Sequence, residues 1–576
     1  MGITGEPPMW KVDSLMASNA TPSYEEAVGH VEWLAASDAR ATLHAVGGSD
    51  VGRPIHALVL ASSPASPQPS MGDLASLRAR MPEDGGKPVV LINNAIHPGE
   101  PCGVNASLAM ATDWLRLPDG PGHPLRAATW VIIPQYNVGG ASRRNCCTRA
   151  NQDGPEAYGF RGNAQNLDLN RDFVKMDSRN AFTFVETFHA VNPDVFIDTH
   201  TSNGADYPYT MTLIETQPDK AGPVLGPFIR DTLTPALNAA MAERGVPMVP
   251  YVYSRGDTPD DGIMGFLETP RYSTGYAALW GTLGFTTEAH MLKPFPDRVQ
   301  ATRHFLESMA AWLQDHGGEV LDARERERQR VVQAESLPVR WALDPVNHDS
   351  LMFEGYTARR EWSSVTAGRR LKYLRDKPWK GRIRYDNAYF ATHEDSIPAF
   401  WVIPQAWRRV VERLQANGVR MEPLTKDTVM ALEVTSVESF TSSSRPYEGH
   451  HPLTVDSCIT EETLVSLHRG DWVIPSSQPA KRYLTEVLSP FGHDAFLVWN
   501  FFDAALQRKE YFSGYVFEDV AADMLAQDED LRAAYAAMQR EHPEWEERPR
   551  EALMWLYSQS EHDEGTAYRL PVFQGR

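Results

Sequence analysis

Cysteine is scarce: four in 576 residues, at Cys102, Cys146, Cys147 and Cys458, with no Cys-x-x-Cys pair. That excludes both a disulfide framework and a zinc ribbon. Adjacent Cys146 and Cys147 read as separate thiols, because a bridge between neighbours is strained. Long apolar runs are missing too; nothing approaches the roughly 20 residues a bilayer-spanning helix needs, so no membrane protein is expected. Positive charge is in deficit, with 55 Lys and Arg against 75 Asp and Glu and a net charge of -20. No basic face large enough to neutralise several phosphates is visible, which argues against a nucleic-acid partner. A small anionic ligand stays open, since local arginines decide that. There is no repeat of fixed period and no low-complexity segment. The start, from Met1 to Pro8, lacks the basic and apolar regions of a secretory signal. On its face the chain is therefore cytoplasmic, with a processed periplasmic or secreted form as the alternative; oligomeric state is not legible.

What is present is a globular composition, 42% hydrophobic and 23% charged, and a length that suggests two to four domains. From residue 23 to about 315 short apolar runs alternate with amphipathic stretches. Strands are expected at 55–61, 89–94, 130–134, 195–199, 210–214 and 283–287, and helices at 24–36, 103–115, 179–191, 226–244 and 298–315. Such alternation implies an α/β fold, a mostly parallel sheet covered on both faces. Sites in such sheets lie at the carboxyl ends of strands. The charge-dense run Asp322 to Arg330 marks a boundary. The expected organisation is an N-terminal extension (1–22), a catalytic domain (23–318), a charged linker (319–335) and an accessory region of strands with a helical tail (336–576). In that last part strands are expected at 432–440, 464–468 and 472–475, with a strand, helix and strand across 398–424. It offers no constellation that reads as catalytic, and His450-His451 reads as a loop pair.

His-x-x-Glu occurs three times. His304/Glu307 lies within an amphipathic helix and His316/Glu319 at its glycine stop, so both read as surface or packing residues. Only His97/Glu100 follows a buried strand, turns on glycine and precedes a helix. Imidazole and carboxylate are zinc ligands, and a catalytic zinc site takes three of them plus an open position. His200, ending the run Asp194 to Thr199, is the third candidate. Glu288 ends another apolar strand, where burial raises a carboxyl's pKa and suits it to proton transfer. Between them lies Asp168-Leu169-Asn170-Arg171. Its arginine offers a planar fork for a carboxylate, its asparagine amide donors, and Asp168 a partner to orient a ligand histidine.

In this order the set resembles the M14 zinc carboxypeptidases over roughly residues 23–315. The resemblance implies an eight-stranded mixed sheet flanked by helices, with one Zn2+ per chain held by His97, Glu100 and His200. It implies Glu288 as general base and acid, Asn170 and Arg171 as the clamp on a substrate's terminal carboxylate, and Asp168 orienting His97. A further arginine polarises the scissile carbonyl in this family; Arg149 is the choice, with Arg143 and Arg144 as competitors. A tyrosine closes the family's pocket, here Tyr272 or Tyr276. Two departures stand out: Asp172 where the family has Asn, and Thr201 where Ser is common. Residues between Glu268 and Glu288 help form the side-chain pocket in the family, and with only Arg271 among them a basic side chain is not expected to be preferred. The implied activity is removal of C-terminal residues from peptides. The alternatives are a zinc acyl-amino-acid hydrolase of the desuccinylase and aspartoacylase kind, and a binding module with a vestigial site.

Overall fold

The computed structural model describes residues 7, 9–63, 71–81 and 86–576, so the expectation for the N-terminal start falls largely outside the described residues. Eight strands build the central sheet: β1 (Ala41–Gly48), β2 (Pro54–Leu60), β3 (Val89–Asn93), β4 (Thr129–Ile133), β5 (Val195–Ser202), β6 (Met211–Glu215), β7 (Met248–Pro250) and β8 (Leu283–His290). Their spatial order is β1-β2-β4-β3-β5-β8-β6-β7. The central neighbours β4/β3, β3/β5 and β5/β8 are parallel, as is β6/β7. The remaining contacts, β1/β2, β2/β4 and β8/β6, are antiparallel. This is the mixed, mostly parallel α/β sheet expected. The two unforeseen strands are β1, poor in large apolar residues, and β7, only three residues long.

Alternate residues of the central strands feed opposite layers, as strand geometry requires. Val90, Ile92, Trp130, Ile132 and Ile197 pack beneath the helices Cys102–Arg116 and Phe295–Gln333. Val89, Leu91, Val131, Ile133 and Phe196 pack with the helix Arg179–Val191 and, unexpectedly, with Trp401, Ile403, Leu414, Tyr483 and Trp499 from the C-terminal half. That half therefore covers one face of the sheet and shares its core.

Two expected boundaries change accordingly. The charge-dense run, readable as a solvated helix or a linker and assigned to a linker at 319–335, is largely helix, because Phe295–Gln333 runs unbroken for 39 residues. Val320, Ala323, Arg324, Glu327 and Val331 form its buried stripe, with Arg324 paired to Asp194 at 2.7 Å and Glu327 to Arg330 at 2.6 Å. The N-terminal segment is not a mere extension either: the helix Val12–Ala17 buries Leu15 completely in the core. Beyond the long helix lies a hairpin of Asp349–Trp362 and Arg369–Asp386, longer than any strand expected there. The expected strand 472–475 matches Trp472–Pro475, and the tail ends in a strand, Arg569–Gly575, after its helices. Among the described residues no helix is long and apolar enough to cross a membrane.

Candidate active site

The carboxyl ends of β3, β5 and β8 lie side by side, and each delivers one part of the site. After β3 the chain turns tightly, with the Glu100 N–H donating to the His97 carbonyl at 2.8 Å. Gly99 lets the Arg149 side chain pack close to this turn: a Cβ there would meet Arg149 Cδ at 2.7 Å and force it to shift. β5 pairs with β8 so that His200 lies opposite Glu288. Every other residue of β8 is buried, and Glu288 alone is partly exposed, facing the cleft.

His97, Glu100 and His200 bring one donor atom each to within 4.8 Å of one another, all three side chains buried. His97 Nδ1 lies 3.3 Å from Glu100 Oε1, and His200 Nδ1 lies 3.2 Å from Oε2. Tetrahedral ligands about 2.1 Å from zinc stand about 3.4 Å apart, so the donor set fits that ion. The opposite ring nitrogens are already engaged, His97 Nε2 with Asp168 at 2.8 Å and His200 Nε2 with Asp198 at 3.0 Å. A carboxylate on Nε2 fixes the tautomer that leaves Nδ1 with its lone pair, the form a metal needs. Among the described residues His97 Nδ1 accordingly has no hydrogen-bond partner despite its burial.

Asp168 stays ionised: burial opposes this, but His97, Arg161 and Arg171 outweigh burial and hold its carboxyl well below the usual range. Burial likewise works against Glu100, yet Arg149 and the two histidines keep it well below its ordinary value. Glu288 goes the other way. Burial, opposed by His200 and reinforced by Glu100, pushes it up to about 7.

The sequence-derived candidates sort clearly in space. Asn170, Arg171, Arg149 and Tyr272 line the same cleft as the metal cluster and Glu288; the cavity is about 430 Å³. Arg171 lies over the Tyr272 ring, 4.4 Å from its centroid. The carbonyl oxygen of Asn170's side chain accepts from the Ser273 N–H at 3.0 Å. Tyr276 does not belong here: it is fully buried, its hydroxyl bonded to Asn417 at 2.7 Å and surrounded by Phe173 and Phe188. Arg143 and Arg144 are also elsewhere. Arg144 binds the carbonyls of Thr21, Pro22 and Ala157, while Arg143 lies over Phe160. Arg149 donates to Glu100 Oε1 at 2.9 Å. In the loop leading to it Cys146 and Cys147 form a disulfide, contrary to the separate thiols expected.

Other cleft residues escaped the sequence reading. Arg161 reaches Glu100 at 3.4 Å and Asp168 at 2.9 Å, so two arginines flank the ligand cluster. Asp198 had a signal, since two-residue strand periodicity puts it on the same face as His200. Glu268 lines the cleft, whereas Arg271 is drawn out of it by Asp494 at 2.7 Å and stacks on Trp499. The C-terminal half, which offers no catalytic constellation of its own, reaches the cleft residues: Tyr447 accepts from Arg171, and Glu448 accepts from the Asp168 N–H at 2.8 Å. The departures from the family pattern are now placed. Asp172 does not line the cleft: it is fully buried against Lys175 at 2.8 Å and the N–H groups of Asp177 and Ser178. Thr201 gives its N–H to Glu100 at 2.9 Å.

A mixed eight-stranded α/β sheet with a His-Glu-His cluster, an opposed strand-end carboxylate and several arginines at its strand ends resembles the metallocarboxypeptidase arrangement. Consistent with this, residues 31–219 match the zinc carboxypeptidase (Peptidase_M14) family model. The match includes His97, Glu100, Asp168 to Arg171 and His200, and stops before Glu288. The carboxypeptidase 2 proteins of Trichophyton tonsurans and Trichophyton rubrum are each 29% identical to the chain over 101 residues, 18% of this chain and 19% of each relative. The chain thus matches about a fifth of the length of these relatives. Among solved structures, a putative carboxypeptidase A from Shewanella denitrificans aligns over 52% of this chain and 71% of its own, at 16% identity and a TM-score of 0.37. A metallo-carboxypeptidase from Pseudomonas aeruginosa, in complex with (2-guanidinoethylmercapto)succinic acid, aligns over 52% and 70% at 18% identity and a TM-score of 0.36.

Proposed function

We propose that the chain is a zinc-dependent carboxypeptidase that hydrolyses the last peptide bond of a substrate with a free C-terminal carboxylate. The observation that carries this reading is the shared cleft: three converging metal donors, both histidines locked by carboxylates, open onto the same cavity as Glu288 and Arg171. His97, Glu100 and His200 would hold the ion, which supplies a Lewis acid. Arg171, steadied by Tyr272 and Tyr447, grips the terminal carboxylate with its planar fork. Asn170 adds its amide donors to that grip. This clamp places the scissile carbonyl over the metal donors, and Glu288 takes a proton from the attacking water and delivers it to the leaving amine. A carboxyl with a pKa near 7 is suited to both transfers. Arg149 and Arg161, beside Glu100, donate to the oxyanion as it forms.

The test is a digest of a defined peptide library, each member present with a free and an amidated C-terminus, read by mass spectrometry. Stepwise loss of C-terminal residues from the free peptides, with the amides left intact, is expected. Internal cleavage, or equal cleavage of amides, contradicts the reading.

A further inference from the structure

Below Glu288 the cleft continues between β8 and β6. Thr286 lies two residues before Glu288 on the same strand face and is paired with Ile214 across the sheet. Both line the cleft, together with Thr274, Phe266 and Glu268. This end of the cavity has apolar and hydroxyl walls and one carboxylate.

That carboxylate is held rigidly and left half satisfied. Glu268 is 1% exposed. Its Oε1 accepts from the Gln217 N–H at 2.7 Å, while Oε2 is buried without a partner among the described residues. The backbone behind it is clamped by Gly275, where a Cβ would fall 2.0 Å from the Thr269 carbonyl oxygen and 2.8 Å from that of Glu268. Nearby cations are engaged elsewhere. Lys220 gives its ammonium to the main-chain carbonyl of Glu268 at 2.7 Å, not to the carboxylate. Arg482 pairs with Glu486 at 3.0 Å and Arg271 with Asp494 at 2.7 Å. Burial, partly offset by Lys220, raises the Glu268 carboxyl to about 7. A buried acceptor without a donor is costly, and an apolar side chain filling this end of the cleft would leave it so. A cationic or strongly donating tip would remove that cost through a charge-assisted bond. An acidic side chain would add like charge and is disfavoured.

We propose that Glu268 selects the side chain of the substrate's C-terminal residue, favouring a cationic group on a flexible stem, as in lysine and arginine. This rests on the carboxypeptidase reading and reverses the preference inferred from Arg271 alone. The metal-loaded enzyme is assayed on matched blocked peptides ending in lysine, arginine, norleucine or glutamate, with native protein and Glu268→Gln. Glutamine keeps an acceptor for Gln217 but loses the charge. Native enzyme is expected to favour lysine over its neutral analogue norleucine by at least about tenfold in kcat/KM, and the variant to bring that ratio near unity by losing lysine activity. Norleucine activity should stay within about threefold, and it reports folding and the catalytic machinery independently. A native preference for norleucine, or a ratio unchanged by the substitution, overturns the proposal while leaving the carboxypeptidase reading intact. If Glu268→Gln loses both activities, the native ratio alone decides. Cleavage of none of the peptides sinks both.

Discussion

Arg171 Nε donates to the hydroxyl of Tyr447 at 2.9 Å, a bond that joins positions 276 residues apart. Arg171 is thus oriented by the C-terminal half, with the Tyr272 ring beneath its guanidinium. Tyr447→Phe removes one hydrogen bond of ordinary strength. KM for peptides should rise about 3- to 10-fold, the equivalent of roughly 0.7–1.4 kcal/mol, with kcat nearly unchanged. Steady-state kinetics checks this; a fall in kcat at constant KM would show that Tyr447 acts on the chemical step instead.

Asp168 and Asp198 each hold the Nε2 of a metal-donor histidine. Replacing either with Asn weakens that anchor and lowers the basicity of Nδ1. Zinc affinity, measured by competition with a chromophoric chelator, should fall about 10- to 100-fold in each variant. Unchanged affinity in both would mean that the carboxylates serve only the fold.

In the proposed mechanism Glu288 acts as a base, and only its ionised form can do so. With burial raising its carboxyl to about 7, turnover should be lost as pH falls through a midpoint no higher than that, since a bound cation favours the carboxylate. Glu288→Gln should keep its metal and lose at least about 100-fold in kcat. A variant with near-normal turnover would point to another base.

Asp172, next to Arg171 in the chain, forms a fully buried pair with Lys175. Asp172→Asn keeps an acceptor for only one of the two backbone N–H groups, which bind different carboxylate oxygens, and strips the charge from one side of the pair. Loss of about 3 kcal/mol of stability is expected, the low end for breaking a buried pair, because Asp177 still reaches Lys175 at 3.0 Å. Denaturant unfolding measures it, and a loss below about 1 kcal/mol contradicts the account.

The convergence of His97, Glu100, His200 and Glu288 was legible because they follow apolar runs whose ends are visible locally, and a strand's end is where such sheets place their sites. Arg161 was not, since it stands in an irregular loop with no periodicity to aim it. Tyr276 misled for the converse reason: it shares the pocket segment with Tyr272, but the helix Ser273–Ala278 turns it into the core. The continuation of the long helix was hidden by its own stripe, where buried Arg324 and Glu327 interrupt the apolar pattern and are satisfied only by partners such as Asp194. Tyr447 and Glu448 carry no local signal at all. Their proximity to Arg171 and Asp168 follows from how the second half covers the sheet.

The most direct test of the central claim is the rate of C-terminal residue release from a free-acid peptide by enzyme stripped of metal, then titrated with zinc. Release should be abolished on stripping and return in proportion to zinc up to one ion per chain, with His200→Ala failing to recover. Undiminished release from the metal-free chain, or full recovery in His200→Ala, would contradict the assignment of His97, Glu100 and His200 as the catalytic metal site.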